Sequence, residues 1–173
     1  MSTTTQPTEV PWTQPNGIYA TYDLHCHCGA IKYQIKLSPP LFAEQTEGKE
    51  QCVAVECDCS WCARHGIWAV HPLAEDVEFT QGLNDRVSYY FATKKNPQWI
   101  CRHCGSALGT DLTYLMEEVF KAESRCTINV WCATLSMCFI IANDSLGAHV
   151  ERLRCRKAES ATSQVYEGLW ASI

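Results

Sequence analysis

No apolar run in this chain approaches the roughly 20 residues that a helix needs to cross a bilayer, so a membrane-spanning helix is not expected. Basic charge is also scarce. Lys and Arg number 14 against 19 Asp and Glu, for a formal charge of −5 over 173 residues. The clustered cations that mark nucleic-acid binders are missing, and nucleic acid is not an expected partner. Met1 to Gly17 carries neither a basic n-region nor an apolar h-region, which reads as no secretory signal. No internal repeat marks a solenoid. A hydrophobic fraction of 46% and an aromatic fraction of 10% are those of a globular protein. The length suits one domain with a substantial core.

Cysteine is abundant, at twelve residues. An even count admits a secreted disulfide scaffold. The spacing favours metal instead. Cys26-His27-Cys28, Cys57-Asp58-Cys59-Ser60-Trp61-Cys62 and Cys101-Arg102-His103-Cys104 are C-x-C and C-x-x-C clusters. At such spacings two sulfurs of a tight turn converge on one point, and thiolates are favoured zinc ligands. Free thiols of this kind fit a reducing, cytoplasmic setting.

The pattern along the chain is mainly β. Residues 1–17, with Pro7, Pro11 and Pro15, read as a disordered N-terminal tail, and 18–173 as a single zinc-binding domain. Tyr19 to His25 is β-prone. Ile31, Tyr33, Ile35 and Leu37 alternate with Lys32, Gln34 and Lys36, the period of a strand with one buried face. Further strands are expected at 51–56, 67–71, 77–80, 87–91 and through Cys126 to Phe139. A loop is expected over 38–50 and a short helix over 112–122, where Leu112, Leu115, Met116, Val119 and Phe120 recur at helical spacing. The stretch beyond Ala148 has no firm assignment.

Seven clustered cysteines make one set of four with three left over. Cys26, Cys28, Cys101 and Cys104 form two similar knuckles, each followed by Gly (Gly29, Gly105), as in the halves of a zinc ribbon. They are expected to close a structural zinc site. Cys57, Cys59 and Cys62 then form a three-thiolate site with a position open to substrate, the mark of a catalytic zinc. The alternative is a second structural zinc completed by Cys52, His65 or His71. Cys52 lies five residues back on an expected strand, so its side chain faces oppositely. His25, His27 and His103 read as neighbours of the metal site or exposed groups rather than ligands. Cys126, Cys132, Cys138 and Cys155 read as small core residues.

The succession Cys26-His27-Cys28-Gly29, Cys57-Asp58-Cys59-Ser60-Trp61-Cys62 and Cys101-Arg102-His103-Cys104-Gly105-Ser106 resembles the glutathione-dependent formaldehyde-activating enzyme family, which includes centromere protein V. The segments 74–79 and 88–91 look like its fungal-type members. The resemblance spans roughly Tyr19 to Ile140. It implies an Mss4-like (β-tent) fold of short antiparallel strands, a structural zinc on the outer pairs and a catalytic zinc on the trio. It further implies a carbon–sulfur lyase acting on a glutathione–aldehyde adduct, with two zinc ions per chain and glutathione as co-substrate. Asp58, His65, His71 and the insert from Tyr114 to Ser124 depart from the family's usual residues. His65 and His71 are candidate proton carriers, which fits either that reaction or a tailoring step on a larger secondary metabolite. His71 can equally end its strand at the surface. A non-catalytic zinc protein that binds a macromolecule is the remaining alternative.

Overall fold

A computed structural model describes residues 12–41, 51–130 and 150–151. Among them the chain is mainly β, in two sheets. The first has the order β1-β2-β5, with β1 (Ala20–His25), β2 (Lys32–Leu37) and β5 (Val77–Gln81) all antiparallel. The second has the order β10-β3-β4-β9-β8-β7-β6. Its strands are β3 (Ala54–Glu56), β4 (Trp68–Val70), β6 (Arg86–Tyr89), β7 (Gln98–Cys101), β8 (Ala107–Asp111), β9 (Cys126–Asn129) and β10 (Val150–Glu151). All pairings are antiparallel except the parallel β10–β3 contact.

The alternation in β2 sets the inner face of the first sheet. Tyr33, Ile35 and Leu37 are buried while Lys32 and Lys36 are exposed. Opposite them on β1, Leu24 pairs with Tyr33 and Tyr22 with Ile35, so four large side chains fill one face. Each fully buried residue of this size contributes about 1.5–3 kcal/mol. The two sheets meet through aromatic rings. Tyr33 stacks on Phe79 of β5 at 5.2 Å, and Phe79 meets Trp99 of β7 edge-on at 5.6 Å. The Arg86 guanidinium lies 4.6 Å over Phe79 and 4.4 Å over Trp99, covering the junction. Asn129 ties three strands of the second sheet: its Nδ2 donates to Ala107 O (3.0 Å) and its Oδ1 accepts from Trp68 N (3.3 Å).

Two elements differ from the sequence reading. The cluster Cys57 to Cys62, expected to be a tight turn, runs at Ser60 into a helix, α1 (Ser60–His65). The expected helix over 112–122 is a π-helical turn, Leu115–Phe120, in which the Lys121 N–H reaches back to Met116 O. That wider turn pulls residues three and four apart off a common face. Met116 is buried, whereas Val119 is 42% exposed. The strand expected over 51–56 is confined to β3. Of the stretch 126–139, β9 is described, while 131–139 lie outside the described residues, as do 1–11, 42–50, Cys132, Cys138 and Cys155. Cys126 is a core residue, as expected.

Candidate metal centres

The nine cysteines among the described residues are all free thiols. Seven of them gather into two clusters, in each of which the sulfurs lie within 4.8 Å of one another. Cys26, Cys28, Cys101 and Cys104 form the first. β1 delivers Cys26 and β7 delivers Cys101, so this cluster joins the two sheets.

The two knuckles are built alike. Cys26 N donates to Ile31 O and Cys101 N to Ser106 O, both at 3.0 Å and both across five residues. The N–H groups of Gly29 and Gly105 return to Cys26 O and Cys101 O, each at 2.9 Å. Gly29 and Gly105 sit at φ 73° and 74°, where a side chain would strain the backbone and glycine does not. The knuckles are also tied to each other, since His27 N donates to Ser106 Oγ at 3.0 Å.

Sulfur spacing decides what this cluster suits. Sγ atoms of Cys26 and Cys28 are 3.5 Å apart, and those of Cys28 and Cys101 3.8 Å. A disulfide needs about 2.0 Å, whereas four sulfurs at about 2.3 Å around a tetrahedral ion stand about 3.8 Å apart. The cluster therefore fits a metal ion. The groups around it pull its thiols in different directions: against the Ala30 N–H, the thiols of Cys26, Cys104 and Cys101 push Cys28 up to about 12, and burial raises Cys101. Ile31 N donates to Cys26 Sγ at 3.3 Å. Burial pushes the Cys104 thiol up, but bonds from Ser106, including its hydroxyl at 3.2 Å, bring it down to about 5.

The second cluster is Cys57, Cys59 and Cys62, all half-buried. β3 leads into it and α1 leaves it. Cys59 is the residue that caps α1, and its Sγ accepts from Cys62 N at 3.4 Å. Gly66, at φ 59°, ends the helix by donating to Cys62 O. A helix of six residues buries no side chain of its own, so these caps hold it. The Cys57 and Cys62 thiols, aided by the N–H groups of Cys62 and Trp61, outweigh burial and bring Cys59 down to about 2. Among the described residues, no fourth donor joins the three sulfurs.

An aromatic wall stands beside the trio. One face of Trp61 lies against His65 at 3.8 Å, and it also stacks with Tyr89 at 5.1 Å and Phe91 at 5.6 Å. Trp61 Nε1 is buried with no hydrogen-bond partner among the described residues. His65 is exposed, and its Nδ1 is 2.9 Å from Trp61 O. A carbonyl only accepts, so Nδ1 carries a hydrogen in this bond.

The remaining histidines are elsewhere. His25 Nδ1 bonds Cys26 O at 2.7 Å, and His103 Nε2 pairs with Asp85 Oδ1 at 2.9 Å. None of His25, His27 and His103 belongs to a cluster. His71 is not brought to the trio. Trp68 pairs with Glu56 beside the trio, and β4 runs away from it toward His71. There His71 lines a small cleft of about 30 Å³ together with Cys52, Trp12 and Arg125. Burial first, then the nearby Arg125 charge, lowers His71 to about 4. The sequence reading missed α1 and the buried Arg125. Arg125 is an isolated cation in a β-prone stretch, and nothing in its neighbours marks it as buried.

Two thiol clusters that could hold metal ions, carried by two β-sheets, define a cysteine-knuckle β protein. The chain matches the profile of the family described as "Glutathione-dependent formaldehyde-activating enzyme" over residues 21–132, and it belongs to that family. Its fold class, with short strands and knuckles, is that expected from the sequence. No curated protein matches it. Among solved structures, a Rhodobacter sphaeroides protein determined as a structural-genomics target is 26% identical, with a TM-score of 0.49 over 65% of this chain and 88% of that one. No helix among the described residues is long and apolar enough to cross a membrane.

Proposed function

We propose that the chain is a zinc-dependent carbon–sulfur lyase acting on a thiol–aldehyde adduct, glutathione with formaldehyde being the family's own pair. Cys57, Cys59 and Cys62 would hold the catalytic zinc, and Cys26, Cys28, Cys101 and Cys104 the structural one. The observation that carries this reading is the unequal donor count. Among the described residues, four sulfurs make up one cluster and three half-buried cysteines the other, with no fourth donor beside the three. Bound there, zinc would supply Lewis acidity toward a sulfur or oxygen of the substrate.

The chain's own groups suit the rest of the reaction. In a hydroxymethyl thioether, the hydroxyl proton must leave so that the O–H electron pair becomes the second carbon–oxygen bond, while the C–S pair departs with sulfur as a thiolate. His65 Nε2, free on the exposed face of α1, is the base that takes this proton. The return reaction gives it back. His71, buried in its cleft, is not assigned a proton here.

A second reading shares the same centre but takes a larger, conjugated adduct. The observation favouring it is the ring wall of Trp61, Tyr89 and Phe91, with Tyr89 47% exposed, which is more stacking surface than formaldehyde needs. Turnover of purified, zinc-loaded protein with S-(hydroxymethyl)glutathione and with the glutathione adduct of benzaldehyde separates the two. Cys59→Ala is expected to abolish turnover and release one zinc per chain while the other stays bound. Retained activity in Cys59→Ala removes the catalytic reading. His65→Gln is expected to lower turnover by roughly 10²–10⁴-fold with zinc content unchanged, and an unaltered rate removes its role as base.

A further inference from the structure

The loop that joins β6 to β7 stands beside the cysteine trio. Phe91 opens it, with its ring 5.6 Å from that of Trp61, which lies between Cys59 and Cys62, and 6.0 Å from that of Tyr89. Lys94 N donates to Phe91 O at 3.0 Å, so the chain doubles back directly after this ring. Ala92 and Lys94 hold φ of 58° and 57°. Left-handed backbone is costly for residues that carry a side chain, and such residues gather at ligand sites.

Charge in this region runs against that of the whole chain. From Arg86 to Thr110 there are four cations, Arg86, Lys94, Lys95 and Arg102, and no acid, within a protein of net charge −5. Arg86 is committed to the rings of Phe79 and Trp99, and Lys95 Nζ lies 5.1 Å from the Tyr114 ring. On the helix beside the trio, Arg64 is tied back to Ser60 O at 2.8 Å. Lys94 is exposed, and among the described residues no ion pair holds it. Its ammonium is a point charge on a flexible stem, suited to a carboxylate that arrives from solvent.

We infer that this loop reads the thiol half of the adduct as an anion, with Lys94 pairing a carboxylate of it and the rings of Phe91 and Tyr89 packing against its stem. The inference rests on the lyase reading for what occupies the trio, and adds the residues that select the thiol. A tripeptide thiol spans up to about 10 Å, so its sulfur can stand at the trio while a carboxylate stands at the loop. Lys94 thereby sets specificity and takes no part in the bond that breaks.

The test is calorimetric titration of the intact, zinc-loaded protein with glutathione and with its dimethyl ester, which keeps the thiol and loses both carboxylates. The wild type is expected to bind glutathione several-fold more tightly than the ester, and the gap should narrow as salt rises. Lys94→Gln should weaken glutathione roughly 2–5-fold, the scale of an exposed ion pair, and leave the ester as it was. Lys94→Glu should weaken glutathione at least tenfold, because like charges then face each other. Lys36→Glu, the same charge change at an exposed position of β2, should bind both compounds as the wild type does. Turnover of S-(hydroxymethyl)glutathione by Lys94→Gln should show KM raised by the binding factor at unchanged kcat. A wild type that binds glutathione through Lys94 yet turns over no adduct removes the lyase reading alone. Equal binding of glutathione and ester, no saturable binding of glutathione, or equal losses in Lys94→Glu and Lys36→Glu overturns the present inference.

Discussion

At the scale of single residues, chemistry-bearing side chains were legible where their spacing is local and hidden where it is not. Cys26 and Cys28, or Cys101 and Cys104, announce a common target because each pair shares one turn. His71 stands only nine residues past Cys62, yet β4 carries it away from the trio, and only the β3–β4 register reveals the direction. Its environment makes a prediction. Burial holds the folded-state pKa near 4, against 6.5 for an exposed imidazole. Below pH 6.5 the unfolded chain takes up a proton that the folded chain refuses. Stability from this group is therefore complete above about pH 7 and is lost as pH falls from 6.5 toward 4. The loss between pH 7 and pH 5 should be about 2 kcal/mol. Urea unfolding of the wild type and of His71→Gln at both pH values isolates it, since both proteins carry the same thiols. Equal pH dependence in the two would show that His71 is protonated as readily folded as unfolded.

At the scale of elements, period-two alternation located β2 well because one face of that strand meets the core and the other meets water. Helix α1 gave no such signal. It buries none of its residues, and it starts at Cys59 Sγ, whose capping role is masked by the metal-ligand pattern it also belongs to, and stops at Gly66. The π-helical turn was misread for the opposite reason, since its apolar spacing was present but the backbone did not follow it. Close strand approach is another feature that composition conceals. A Cβ on Gly109 of β8 would stand 2.2 Å from Thr127 O on β9. Gly109→Ala should thus destabilise the fold by about 1–3 kcal/mol through forced separation of the two strands. Denaturant melts would register this, and an unchanged midpoint would mean that β8 and β9 part without cost. Cys101→Ser acts on a different pair of elements. On the proposed metal reading it unlinks β1 from β7, and a loss of about 3 kcal/mol, far below full ligation energy, would lower the melting midpoint by roughly 6–12 °C. An unaltered melt with lost turnover would exchange the structural and catalytic assignments of the two clusters.

At the scale of the whole molecule, the family and the mainly β architecture were readable from three ordered cysteine motifs, while the way the sheets meet was not. The contact of Tyr33, Phe79, Trp99 and Arg86 draws on β2, β5, β7 and β6, and no local pattern joins them. The two clusters should differ in hold if the proposed ions occupy them. Chelator titration is expected to remove metal in two steps, the trio first because its open side admits the competitor. Release of both ions together, or a content of one per chain, would end the two-site reading. The four-sulfur cluster also has a consequence for how the chain is made. Cys28 and Cys101 are 73 positions apart, so a ribosome working at roughly 5–20 residues per second leaves the first knuckle waiting about 4–15 s for the second. During that interval the emerging Cys26 and Cys28 are a bare dithiol, open to oxidants and to scavenging of stray ions. The yield of correctly assembled protein should then follow the supply of reductant and zinc during synthesis more closely than their supply afterwards.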